Sequence, residues 1–531
     1  MSQIYGKFTD SAANDLGALR LYCEEHARMK RSTINRTDGL QHSRPDRSVL
    51  ALAVGVAALL AVIAPLSPAT AETLQEALTL TYQSNPKIDA ERARLRATDE
   101  GVPQAKAGFR PSANASANMG FSSQHSNPAL STDGILHPSG IGVSVTQPIF
   151  SGFRTVNTVR EAEANVRAGR ENLRLIEAQV LLDAVTAYAD VIRDGALVNL
   201  RERNVAVLTT ELTSAEARRA VREVTRTDVA QAQARRAKSI SALDLARSNL
   251  KTSRAVYERV VGRPPQNLTE PAQPTKLIPS GVEDVIKIAE KENPNVVGAL
   301  YREQAARHEV DRIWGELLPE VRLEAGYTQA FNAATQVNAT NTATVTGRVN
   351  VPLYEGGETK ARVRAAKHTH VSRLQEIEQA RTETQATAVS AWSRLEATRT
   401  QVAQDKVQVD SARIALEGVR EEERVGQRTL LDVLNAEQEL LDAQVSAVTD
   451  RHDMTIAAHA VLAAIGRLDG SSLQLGDSQY DPTVHYEDVE RKWFGVSITH
   501  PDGRVELLDK LDNWGAKDPY TASKGLRSSA D

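Results

Sequence analysis

Laid against itself, the sequence repeats. Asn85-Pro86 recurs as Asn293-Pro294 and Pro111 as Pro319, each displaced by 208 positions (293 − 85 and 319 − 111). Farther on, the displacement becomes 204. Gln147-Pro148-Ile149-Phe150-Ser151-Gly152 matches Val351-Pro352-Leu353-Tyr354-Glu355-Gly356, Ala187-Tyr188 matches Ala391-Trp392, and Val261-Gly262 matches Ile465-Gly466. Thr225-x-x-Asp228-Val229 matches Thr429-x-x-Asp432-Val433 at the same displacement. Landmarks held at one spacing over such a length mark a duplicated structural unit. The four-residue change falls between Pro111 and Pro148, so the first copy holds a longer loop there. The halves are residues 72–262 and 281–470, joined by 263–280, an extended linker with five prolines. Residues 471–531 form a polar tail without a counterpart in the first half.

Each copy contains a pair of alternating segments. Ala113, Ala115, Ala117, Met119 and Phe121 alternate with Asn114, Ser116, Asn118 and Ser122; Ile141, Val143 and Val145 alternate with Gly142, Ser144 and Thr146. This is strand periodicity, and it predicts strands at about 112–123 and 141–147, with a Ser, Gly, Pro and Asn-rich loop between them. In the second copy the same pattern predicts strands at about 320–330 and 342–351. One apolar and one polar face suits a wall between lipid and a watery lumen, although a soluble sandwich strand has the same alternation. Phe109, Phe150, Phe153 and Tyr354 cluster near the prolines at the strand ends, where a membrane-interface girdle would lie. Four strands cannot close a barrel, because about eight is the observed minimum and an open edge in lipid leaves backbone groups unsatisfied. A barrel must therefore be shared: eight strands from two chains, or twelve from three.

The remainder is helical. Residues 155–261 contain no proline and only Gly169 and Gly195 as glycines, so long helices are expected over about 154–262 and, in the second copy, 358–466. A 55-residue helix spans about 80 Å, far more than a bilayer needs. Leu173, Ile176, Val180, Ala184, Ala187 and Val191 form one apolar seam, and Leu181, Val185, Tyr188 and Ile192 a second beside it. Two seams imply two neighbours, as in the wall of a tube. Leu434, Leu441 and Val448 continue a heptad spacing in the second copy.

At the N-terminus, the apolar run Val49–Ile63 follows Arg44 and Arg47 and precedes Ala69-Thr70-Ala71, an export signal and cleavage pattern predicting a cut after Ala71. The run is shorter than the roughly 20 residues a spanning helix needs. Met29-Lys30-Arg31 makes a more ordinary basic start than residues 1–28. Cys23, the single cysteine, precedes the cut, so the exported chain has no thiol, disulfide or lipid acceptor. With 64 basic against 68 acidic side chains and a net charge of −4, the basic excess of a nucleic-acid binder is missing.

The duplicated order of helix, hairpin, long helix and helix, with Asn-Pro near the start of each copy, resembles the TolC family of outer-membrane efflux proteins over about Glu72 to Gly470. Its sharpest motif is Val425-Gly426-Gln427-Arg428-Thr429-Leu430-Leu431-Asp432-Val433-Leu434-Asn435-Ala436, similar to the family's V-G-x-R-T-x-x-D-V-L-x-A. The resemblance implies a mainly α protein with a membrane β-barrel. It implies a homotrimer, with four strands per chain in a twelve-stranded barrel continuous with a long periplasmic helical barrel. It further implies a Gram-negative outer membrane, a periplasmic adaptor, an inner-membrane RND or ABC transporter, and passive conduction of drugs or secreted proteins.

The same resemblance implies a periplasmic gate at Asp432 and Asn435, the second a departure from an aspartate in the family's best-known member. Arg428 and Thr227 match partners of a tip-locking polar link and Asp228 matches another, whose usual tyrosine partner corresponds to Glu423. Glu423 would repel Asp228 unless an arginine such as Arg424 intervened. Three copies of Asp432 on a narrow axis would favour cations and be plugged by multivalent ones. Thr225-x-x-Asp228 and Thr429-x-x-Asp432 also read as capping boxes at helix starts.

No H-E-x-x-H, G-x-x-x-x-G-K-[ST] or G-x-S-x-G is present, so zinc-protease, nucleotide-driven and hydrolase chemistry have no anchor and no enzyme is expected. His368-x-His370 diverge on a helix and read as a surface pair. No cofactor is implied. The competing assignment is a periplasmic or surface coiled-coil scaffold without a pore.

Overall fold

The computed structural model describes residues 72–124, 134–334, 337–476, 480–499 and 505–506. The expected leader, its cut after Ala71 and most of the tail lie outside the described residues.

Each half opens with two short helices hinged at Asn-Pro. α1 (Leu74–Ser84) starts on a capping box in which Thr73 and Glu76 satisfy each other's backbone N–H groups. It ends at Asn85, which caps α2 (Pro86–Asp99), and α3 (Gly101–Lys106) follows. The Asn85 carboxamide accepts from the Lys87 N–H (2.9 Å) and donates to the Val260 carbonyl (2.9 Å). Its counterpart Asn293 accepts from Asn295 (2.8 Å) and donates to Ala464 (2.8 Å). The repeated motif thus caps one helix and ties it to the end of another 171 or 175 residues away.

Strand β1 (Ser112–Met119) is shorter than the alternation implied. The pattern breaks at Gly120, and β2 (Ser122–Gln124) pairs separately with β3 (Gly134–Leu136). β4 (Ser139–Ser151) runs farther than 141–147, across a bulge between Pro148 and Phe150. Proline is tolerated there because β1 ends opposite Thr146, which leaves β4 without a neighbour on that side.

The long helices come next: α4 (Arg154–Ala220, 67 residues) and α5 (Arg226–Val261, 36 residues). The second half repeats the plan. Its short helices are α6 (Val282–Glu292) and α7 (Pro294–Trp314), its strands β5 (Glu320–Ala334) and β6 (Val337–Asn350), and its long helices α8 (Glu358–Arg424) and α9 (Leu430–Ala464). Each long region is therefore divided unequally, by turns at 221–225 and 425–429.

The main core lies where α4, α5, α9 and α1 meet, around Leu181, Val185, Tyr188, Tyr257, Val461, Leu462 and Ile465. Both seams of α4 are used, but against more than the two neighbours they implied: α5, α7 and α9 all pack along it. Tyr188 replaces a seam aliphatic because its hydroxyl reaches the Thr269 carbonyl at 2.6 Å, which fixes the interhalf linker to the core. By contrast, α8 leaves Val371, Val407 and Ile414 exposed. Among the described residues no helix is long and apolar enough to cross a membrane.

The sheet and helices meet at a glycine crossing. A Cβ on Gly152, at φ +63°, would lie 2.2 Å from the Gly315 carbonyl oxygen, and one on Gly315 would lie 2.3 Å from that of Gly152. Only two glycines allow these backbones to touch. The tail adds α10 (Pro482–Glu490), which packs on α2 and α3. It is held by His485 against the buried Asp99 (3.0 Å), by a Lys106–Glu490 ion pair, and by Arg170 beneath the Tyr486 ring. A last two-residue pairing joins β7 (Ile498–Thr499) to β8 (Val505–Glu506).

Candidate pore wall and gate

The four main strands form one antiparallel sheet in the order β1-β4-β5-β6. Its register lines up the two side-chain classes across all four strands. Ala113, Val145, Ala325 and Val345 sit side by side, as do Ala115, Val143, Tyr327 and Ala343. On the opposite face the rows are Ser112, Thr146, Glu324 and Thr346, then Asn114, Ser144, Gly326 and Thr344. The apolar face is uncovered within the chain: Val345 is 75% exposed. The polar face carries the Arg348–Glu324 ion pair (3.1 Å). Among the described residues, both β1 and β6 have a strand on one side only, so the sheet is open at each edge.

The four aromatic candidates lie at the end of the sheet where the helices begin. Phe150 and Phe153 meet edge-to-face with centroids 5.2 Å apart, and Phe109, Phe153 and Tyr354 are all exposed. Phe153 precedes α4 in the left-handed conformation. The Gln147 side chain donates to the Phe109 carbonyl (2.9 Å) and closes this corner.

At the far end of the long helices, the two turns share one geometry. Thr429 Oγ1 accepts from the Asp432 N–H (3.3 Å), while Asp432 Oδ2 accepts from the Thr429 N–H (3.0 Å) and hydroxyl (2.8 Å). Thr225 and Asp228 do the same, at 3.3, 2.8 and 2.8 Å. Both aspartates therefore act as caps, and the capping role occupies one carboxylate oxygen of each. The preceding helices end on left-handed residues: Gly426 at φ +79° in the second turn and Arg222 at φ +66° in the first. These Thr429 hydrogen bonds, with Arg428 nearby, hold the Asp432 carboxyl below the usual aspartate range, so it is ionised at neutral pH.

The other tip candidates are distributed differently. Glu423 is paired with Arg218 of α4, and Arg428 with Glu422 (2.8 Å). Arg424, the arginine expected between Asp228 and Glu423, is bound to Glu421 (2.9 Å). Asn435 accepts from Arg235 of α5 (2.7 Å). Thr227 makes no side-chain hydrogen bond among the described residues and is exposed. Arg218 and Arg235, which join the two hairpin tips within one chain, were not singled out from the sequence; their partners lie 205 and 200 residues away, with no local pattern to mark them. Beneath the tips Leu208, Val229, Leu430 and Leu434 form a small apolar cluster.

The described residues hold no group of three or more potential metal ligands. His370 contacts Glu303 of α7 at 2.6 Å rather than standing free on the surface.

The family model described as outer membrane efflux protein matches residues 77–263 and 285–467, one segment in each half. Outer membrane efflux protein BepC of Brucella suis is 39% identical over 439 residues, which span 82% of this chain and 94% of BepC. Outer membrane protein TolC of Vibrio cholerae is 24% identical over 409 residues, 75% of this chain and 91% of the relative. Among solved structures, the outer membrane protein VceC of Vibrio cholerae superposes with a TM-score of 0.65 at 18% identity, covering 74% of this chain and 96% of VceC.

Proposed function

The chain belongs to the outer membrane efflux protein family, and from that membership we propose that three copies form a passive exit duct fed by an inner-membrane pump. It is a TolC-like channel of the outer membrane with a periplasmic extension, and not an enzyme. In the proposed assembly the open sheets of three subunits join, β6 of one to β1 of the next, into a twelve-stranded barrel. The single observation that carries this reading is the register: four strands align an apolar face and a polar face and leave both edges unpaired. Lipid would cover the first face and water the second, and closure would satisfy the edges. Exposed aliphatics on α8 fit packing against a neighbouring subunit.

In this reading the leader is cut after Ala71 and the signal peptide is lost on export. The periplasmic tips meet an adaptor, and an RND or ABC transporter supplies energy and selects the cargo. BepC is described as an efflux protein, which favours efflux as the route served. Asp432 narrows the periplasmic entrance as a ring of three carboxylates with Asn435 beside it, while Arg428, Thr227, Asp228 and Glu423 contribute to the closed tip. Phe109, Phe150, Phe153 and Tyr354 mark the membrane interface.

The processed protein, extracted in detergent, should run as a heat-modifiable trimer and conduct ions in planar bilayers. A deletion strain should become drug-sensitive. A soluble monomer without conductance would instead support the scaffold reading.

A further inference from the structure

The family match ends at residue 467, and part of the chain beyond it is held in place at one particular level of the molecule. The Arg110 guanidinium lies 4.6 Å over the Trp493 ring and donates to the Lys492 carbonyl at 3.0 Å. Arg110 stands two residues before β1, and the carbonyl of the adjoining Phe109 is bonded to Gln147 of β4. The segment after α10 is therefore fastened beside the end of the sheet, at the level of the exposed Phe109.

That segment turns its apolar side chains outward. Gly495 reverses the chain at φ +97°, and the Lys492 ammonium donates to the Ser497 carbonyl (3.1 Å) across the turn. Trp493 is 58% exposed, Phe494 86% and Val496 62%. The Trp493 and Phe494 rings lie side by side, 6.4 Å between centroids, with Arg491 and Lys492 immediately before them. Three neighbouring apolar groups offered to water are costly unless something covers them.

We infer that the 491–496 turn is a membrane-surface anchor, whose Trp493, Phe494 and Val496 enter the periplasmic leaflet of the outer membrane beside the barrel. The inference rests on the outer-membrane reading above, because that reading sets this level of the sheet at the bilayer boundary. The occupant is a phospholipid surface, since the apolar cluster lies beside the exposed Phe109 at the end of the sheet. Indole and phenyl rings favour that depth, and the flanking Arg491 and Lys492 match lipid phosphates. With no cysteine after Ala71 to carry a lipid, the turn gives each subunit a second hold on the leaflet.

Because Cys23 is the single cysteine and precedes the expected cut, one new thiol can be labelled uniquely in the full processed chain. Phe494→Cys, and separately Val496→Cys, would carry an environment-sensitive fluorophore on trimers reconstituted in phosphatidylethanolamine–phosphatidylglycerol vesicles. Val345→Cys on the apolar sheet face and Thr227→Cys at the far tip serve as references. The expected result is quenching of the 494 and 496 labels by doxyl-labelled lipid, and iodide quenching several-fold weaker than at 227. Iodide access equal to that at 227, without lipid quenching, would overturn the anchor. Protection from both quenchers would also overturn it, since protein would then be the cover. If the Val345 label also escapes lipid quenching, the barrel reading itself fails; if 345 is quenched and 494 is not, only the anchor does.

Discussion

Glu177 offers the sharpest test of the energetics of the helical core. It lies on α4, 6% exposed, and burial pushes its carboxyl up to about 7 against an ordinary value of 4.5, a rise that Arg92 and Arg174 moderate and Asp469 reinforces. Neither arginine depends on it. Arg92 bonds Asp89 and the Tyr82 carbonyl, while Arg174 bonds Glu171, Asp469 and the Gly466 carbonyl. Glu177→Gln therefore removes a titration without stranding a cation.

The sign is set by proton binding. Between pH 4.5 and about 7 the folded protein keeps a proton that the unfolded chain releases, so this residue's contribution is full below 4.5 and is lost as pH rises through 7. At about 1.4 kcal/mol per pH unit the loss amounts to roughly 3 kcal/mol per subunit. The assay is the thermal midpoint of detergent-purified trimer at fixed scan rate from pH 5 to 8.5, wild type against Glu177→Gln. The two should differ little at pH 5, the variant should gain relative stability as pH rises to about 7, and the difference should hold steady above that. A constant difference across that range, or one that continues to grow well above pH 7, would refute the reasoning.

Three further outcomes are expected. Asp432→Ala should weaken block by trivalent cations in single-channel recordings, and wild-type block should persist from pH 8 to 5 because the Asp432 carboxyl is held below its ordinary value; unchanged block in the variant would remove Asp432 from the gate. Asn293→Ala should lower stability by about 1–2 kcal/mol in denaturant melts, since it loses both a helix cap and the bond to the Ala464 carbonyl. Arg222→Gly should raise stability by up to about 1 kcal/mol by relieving a left-handed non-glycine residue, with hydrogen exchange at the 221–225 turn slowed accordingly.

Features that repeat or alternate were legible in the sequence. Side chains in a strand must alternate, so Val143 and Val145 announced their face; the Asn-Pro pairs announced the duplication by recurring at one displacement. Contacts between distant segments left no such trace. Nothing local shows that β4 pairs with β5 of the other half, or that Arg235 reaches Asn435. The contacts of Tyr480 and Tyr486 left no trace either, because their partners, Arg92 and Arg170, belong to α2 and α4. Asp228 and Asp432 were legible as caps from their threonines, whereas the pairing of Glu423 with Arg218 was not, because Arg218 ends a different helix.

The Gly152–Gly315 crossing fixes where such a molecule can bend. Two main chains pressed together without an intervening side chain leave little freedom to slide, so any tilt of α4 would turn about this junction, with the helix as its arm. With 67 residues, that arm is about 100 Å long. A tilt of only about 3° at the crossing would carry its remote end by about 5 Å, roughly one helical turn. Leverage of this kind lets a nearly immobile joint govern a large displacement at the opposite extremity.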